Sequence, residues 1–215
     1  AREIVSEDPK LASRDMMLAN TLAGLYIDIG EFELAQRTYL SIDAESPVLK
    51  RFILLGQARI ALEKQQWPRA SKLLEQFQSL HPDPKNSGEL KLLRSRLLLG
   101  KQELKSALDE CNAALAILKP QDDDSKSKPP AQPLLAFYEA DLLHAEILVK
   151  LGKPSELDLI ATMVKSIPDK TIRWKSHQKL AELFRKTKQF ELAHQHSKEA
   201  HRLLLNHHKF ETRYH

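Results

Sequence analysis

Histidine is the residue type most concentrated in this chain. His177, His194, His196, His201, His207, His208 and His215 all fall in the last 40 residues. Imidazole suits metal binding, proton transfer and pH sensing. His194 and His201 stand seven apart and share a helix face. No pair has the four-residue spacing with a catalytic glutamate that a zinc hydrolase needs, and HQHSKE lacks it. The reading is a solvated helix face and no metal site. Cys111 is the single cysteine, so an internal disulfide and a cysteine zinc cluster are both excluded. It sits in LDECNAAL at helical spacing among apolar residues, which predicts a small buried side chain. Asp122, Asp123 and Asp124 are consecutive, without the alternating ligands and glycine of a calcium loop. Glycine-rich phosphate loops and nucleophile elbows are absent. These residues predict no enzyme, no cofactor and no metal.

Composition agrees with that. The 215 residues carry 33 Lys+Arg and 29 Asp+Glu, for a net charge of +4. Six glycines are too few for a doubly wound sheet with its glycine turns. At 42% hydrophobic and 29% charged the chain is foldable. No window approaches the ~20 apolar residues of a membrane span. The charge is uneven. Residues 170–215 hold 11 Lys+Arg against 4 Asp+Glu, leaving a body of −3 and an end of +7. Such an end could meet a polyanion, but its cations are spread around both helices. Nucleic acid therefore stands only as the alternative partner. The opening AREIVSEDPK has no initiator Met and no signal-like segment, so the chain reads as an excised piece of a longer protein, whose location is left unknown with the cytoplasm favoured.

Apolar residues recur at three- and four-residue steps, as in Leu18, Leu22, Leu25, Tyr26 and Ile29. Gly30 then suits a left-handed helix cap, and a second helix begins at Phe32. Pro47 is read as the stop of that second helix. Alternating strand patterns are absent. The fold class expected is all-α.

The pattern repeats. Phe32, Ala35 and Pro47 match Trp67, Ala70 and Pro82, and the offset recurs at Leu104–Ala107 and Phe190–Ala193. Counting back 19 residues from each key position, Leu157 serving as the fourth, gives unit starts at Met16, Arg51, Gly88, Tyr138 and Trp174. The expected units are 16–49, 51–84, 88–121, 138–171 and 174–207 within one domain, 1–215. The third and fourth copies are degenerate, with Ser95 at a small position and Leu157 at the place of an alanine. Residues 120–133, PQDDDSKSKPPAQP, read as a flexible insertion, and 208–215 as the start of a further helix. Trp67, Tyr26, Phe32, Tyr39, Phe184 and Phe190 are expected in the core between helices.

These residues resemble the tetratricopeptide repeat family, a helix–turn–helix unit of about 34 residues. The first copy carries Leu22, Ala23, Tyr26, Gly30, Phe32, Ala35, Tyr39 and Pro47 at the family's large and small positions. The resemblance implies a right-handed α-solenoid of antiparallel helix pairs, with a concave groove built mainly by each unit's first helix. It implies a non-enzymatic scaffold that binds a protein or peptide, or another domain of its own full-length chain. By the same resemblance the groove residues are Asn20, Phe52, Leu55, Arg59, Leu92, Arg96, Lys175 and Gln178. Arg59 and Arg96 fall at equivalent places in consecutive units, where two guanidinium groups would bridge an acidic ligand side chain. The competing reading pairs them with nearby glutamates on the surface. Chaperone-binding members clamp two carboxylates with Lys, Asn and Arg, and only Asn20 matches, so another ligand is expected. The style of the array also resembles the sensory or regulatory segment of bacterial signalling and transcription-regulating proteins.

Overall fold

A computed structural model describes residues 18–19, 21–27, 29–42, 46–81, 83–119, 131–154, 157–165, 167 and 170–211. Side chains of 131–135, 159, 170–171 and 206–211 are not included. Every regular element among the described residues is helical. The chain divides into two compact units, residues 1–101 and 102–215.

The first unit holds α1 (21–27), α2 (Phe32–Leu40), α3 (Pro47–Glu63), α4 (Trp67–Leu80) and α5 (Gly88–Gly100), with a single 3-10 turn at Pro84–Asn86. The second holds α6 (Leu104–Leu118), α7 (Ala131–Lys150), α8 (Leu157–Lys165), α9 (Lys170–Lys186) and α10 (Phe190–Glu211).

Local chemistry sets the starts. Ser46 caps α3 by accepting a hydrogen bond from the Leu49 amide at 3.2 Å. Ser87 does the same for α5 through the Leu90 amide at 3.3 Å. Pro47 is therefore a starter and not the stop expected of it. It occupies the first turn of α3, where its missing N–H has no helical partner to lose. Pro133 likewise falls in the first turn of α7. That helix takes in 131–133 of the expected flexible insertion, while 120–130 lie outside the described residues.

The helix ends share one device. The Gly30 amide bonds the Ile27 carbonyl and the Glu31 amide reaches back to Tyr26. Gln65 and Gln66 repeat this on Leu62 and Ala61, Gly152 and Lys153 on Val149 and Leu148, Lys188 and Gln189 on Arg185 and Phe184. This paired bonding closes a helix with one residue in the left-handed region. That residue is Gly30 (φ 80°) and Gly152 (φ 74°), but also Gln65 (φ 55°) and Lys188 (φ 61°), and Gln102 after α5 shares the left-handed conformation (φ 66°).

The repeat register lies in the core. The eighth positions, Ala23, Ala58, Ser95, Ala145 and Ala181, are all buried. So are the twentieth, Ala35, Ala70, Ala107, Leu157 and Ala193. Small side chains there let the two helices of a hairpin approach closely. Tyr39, Leu74 and Cys111 fill one equivalent place further on, and all three are buried. Cys111 thus behaves as the expected small core residue, its Sγ 3.3 Å from the Ala140 carbonyl. Phe184 is fully buried as expected, whereas Phe190 is exposed at the start of α10.

In the first unit α3 packs on α2, α4 and α5. One core joins α3, α4 and α5 through Ala58, Leu62, Leu74, Phe77, Leu93 and Leu97. A second surrounds Ala23, Ala35, Tyr39 and Ile60. In the second unit α7 packs on α6, α8 and α9, and α9 on α8 and α10. Ala145, Leu157, Ile160, Leu180, Phe184 and Ala193 form its core. The final helix corrects one boundary. α10 runs unbroken to Glu211, through the point where a new helix was expected at 208. No glycine or proline lies between Phe190 and Glu211 to stop it.

Candidate functional site

Two places combine polar chemistry with accessible surface. The first is the face expected to form the groove in the first unit. α3 carries Phe52, Leu55 and Arg59, and α5 packs beside it. All three side chains are half-buried. Phe52 meets Tyr39 edge-on, ring centres 6.1 Å apart, and Leu55 leans on the α3–α5 core. Arg96, from α5, lies 3.5 Å from Glu63 of α3. The competing surface-pair reading thus describes Arg96. Burial pushes the Tyr39 phenol up, with Arg59 opposing and Glu89 assisting.

Leu92 does not belong to that surface. It is completely buried. α5 buries Leu90, Leu92, Leu93, Ser95, Leu97 and Leu99, so it is covered nearly all round and has no free apolar side. Asn20 lies outside the described residues. Lys175 and Gln178 belong to the second unit, on α9, half-buried and exposed respectively.

The second place is a cleft of about 480 Å³ in the second unit. α8 lines it with Asp158, Thr162 and Lys165, α9 with Arg173 and His177, and α10 with Gln195, His196 and Glu199. His177 and His196 meet here, Nδ1 to Nδ1, at 2.8 Å. Both are buried, and His196 also stacks on Phe184 with ring centres 5.2 Å apart. At that spacing one ring donates and the other accepts, so the pair cannot hold a proton on both facing nitrogens. Burial pulls both imidazoles below their ordinary range, and His196 falls to about 4, helped by His177 and Lys165. Glu199 is held below the carboxylate range chiefly by Arg202, which donates to both its oxygens at 2.7 and 2.6 Å.

The histidines read as a solvated face therefore divide. His194 and His201 are exposed as expected, whereas His177 and His196 are internal. A signal for this is present in the repeat. His177 and His196 take the fourth and twenty-third places of their unit, which in the second unit are Leu54 and Leu73 of the core. Metal binding does not suit the pair. Two nitrogens on a tetrahedral zinc at ~2.0–2.1 Å stand roughly 3.3 Å apart, further than these do. Among the described residues no three metal-ligating side chains converge.

Several cations of the basic end are already engaged. Glu146 of α7 lies 3.0 Å from Lys179 and 3.9 Å from Lys186 of α9. Burial pushes Glu146 up, but Lys179, Lys186 and Lys150 outweigh it and hold it below the ordinary range. Among the described residues no helix is long and apolar enough to cross a membrane. No family model, no curated protein and no solved structure matches this chain.

Proposed function

We propose that the chain is a tetratricopeptide-like α-solenoid that serves as a recognition scaffold, taking an acidic extended peptide of a partner protein on the first-helix face of its first unit. The observation that carries this is the equivalent placement of Arg59 on α3 and Arg96 on α5, two helices packed side by side. The four similarly bonded helix ends and the regular burial at the eighth and twentieth positions support the array. Half-exposed Phe52 and Leu55 would supply apolar contact beside the charges. A preformed helical face loses little ordering entropy on binding. Glu63 would hand Arg96 to the stronger, bidentate carboxylate contact of the ligand. The scaffold reading, by its resemblance to regulatory segments, places this chain inside a larger signalling or transcription-regulating protein.

Fluorescence anisotropy with a panel of extended peptides rich in Asp and Glu tests it. The double variant Arg59→Ala/Arg96→Ala is expected to keep its helical circular dichroism and lose about tenfold or more in affinity. Equal affinity of the double variant and the parent protein would remove this face as the binding surface.

A further inference from the structure

We propose that the cleft between α8, α9 and α10 is a second binding site, specific for an oxyanion, either a carboxylate or a phosphate group. The Arg173 Nε is buried and has no hydrogen-bond acceptor among the described residues. A charged donor left unsatisfied in that way is costly, and a ligand oxygen would relieve it. Glu199, a lining carboxylate that feels the Arg173 charge, instead accepts from Arg202 at both of its oxygens.

The remaining lining fits the same ligand. Lys165 and Arg173 both line the cleft, and both act on His177. Asp158 lies seven residues before Lys165 on α8, about 10 Å away along the helix axis. Asp158 is thus set apart from Lys165, while Glu199 acts on the same His177 ring as the two cations and is engaged by Arg202. Thr162 and Gln195 add neutral hydrogen-bonding groups. A cation would be repelled by Lys165 and Arg173. A purely apolar ligand would find only Ala161, Leu192 and the covered face of Phe184.

The histidine pair makes the site proton-linked. The charged groups acting on the two rings are Lys165 from α8, Arg173 from α9, and Glu199 and Arg202 from α10. Three of the four are cations, and they oppose imidazolium. A bound anion offsets them and favours protonation. Affinity for an anion that does not itself titrate then rises as pH falls.

The test uses the histidine ring resonances of the whole 215-residue chain, titrated with sodium sulfate against sodium chloride at equal ionic strength. Sulfate is expected to shift His177 and His196 saturably, with affinity tightening about threefold or more from about pH 6.5 to about pH 5. Arg173→Gln and Lys165→Gln, two variants on different helices, are each expected to weaken sulfate about tenfold. Citrate and a phosphoserine peptide separate the sources. A peptide about a hundredfold tighter than sulfate assigns the oxyanion to a partner's side chain, and citrate tighter than the peptide assigns it to a free small molecule. Shifts that are linear and equal in chloride, or unchanged sulfate affinity in both folded variants, would overturn the proposal. This site is independent of the Arg59–Arg96 face, so either can fail alone.

Discussion

Burial pulls His196 down from 6.5 to about 4 and pushes Asp141 up from 3.8 to about 6, so the two side chains bend the pH profile of stability in opposite senses. Between 6.5 and 4 the unfolded chain protonates His196 more readily than the folded one does. The stability tied to its neutral ring is full above 6.5 and is lost as pH falls towards 4. Asp141 works the other way. Its Oδ2 is buried without a hydrogen-bond partner among the described residues, and its charge is penalised above about 6. The folded state binds the extra proton, so that penalty is relieved as pH falls from 6 towards 3.8. Thermal unfolding across this range checks both at once. Asp141→Asn is expected to raise Tm by about 2–4 °C near neutral pH and to lose that advantage near pH 4. His196→Gln is expected to flatten the acid fall seen in the parent protein. An Asp141→Asn protein that melts no higher than the parent at neutral pH would show that the carboxylate is not under strain. None of this was visible by inspection of single residues. The two histidines stand 19 apart on different helices, and only the hairpin rotation brings them together.

At the scale of the element, helix direction and helix ends were legible unequally. The amphipathic spacing marked the helices, because a helix must keep its apolar side chains on one face. Gly30 marked its turn, because glycine enters the left-handed region without penalty, and Gly152 adopts the same conformation. Gln65, Gln102 and Lys188 adopt the same conformation with no such mark. The tertiary packing on either side fixes those turns, and local preference does not oppose it strongly enough to prevent it. Pro47 was ambiguous for a related reason, since proline both ends a helix and begins one, and Ser46 before it decides. Glycine has a second use that spacing did not reveal. Gly56 in the middle of α3 lies under the Tyr39 ring, and an added methyl would fall inside that ring. Gly100 stands in the same relation to Trp67, where an added Cβ would come within 2.5 Å of Cη2. In an open helix Gly→Ala stabilises by roughly 1 kcal/mol. Gly56→Ala is expected to do the reverse, destabilising by about 1–3 kcal/mol through overpacking. Chemical denaturation measures it, and Tyr39→Leu in the Gly56→Ala background is expected to recover part of the loss. A stabilised Gly56→Ala protein would mean that Tyr39 is free to move aside.

The whole molecule is organised by a register rather than by a motif. Ala35 and Ala193 are far apart in sequence and lie in different units, yet both sit at the twentieth place of a repeat and both are buried among apolar neighbours. This was readable because close helix approach demands a small residue at a fixed spacing, whatever surrounds it. The groove was less readable, because surface residues answer to no such demand. Leu92 has the periodicity of a groove residue but belongs to a helix covered on nearly every side. Each unit has its own apolar core, so damage to one core should be felt first in that unit. Ala193→Trp tests the register and this locality together. The extra ring must enter a core that already holds Leu157, Leu180 and Phe184, and the cost is about 1–3 kcal/mol. Hydrogen exchange is expected to accelerate in α8, α9 and α10 before it does so in α3 and α4. An unshifted melting curve would show that the repeat has been counted in the wrong phase. Simultaneous loss of protection in α3, α4, α9 and α10 would show that the cores fold as one cooperative block, against the nearest-neighbour behaviour of a repeat array.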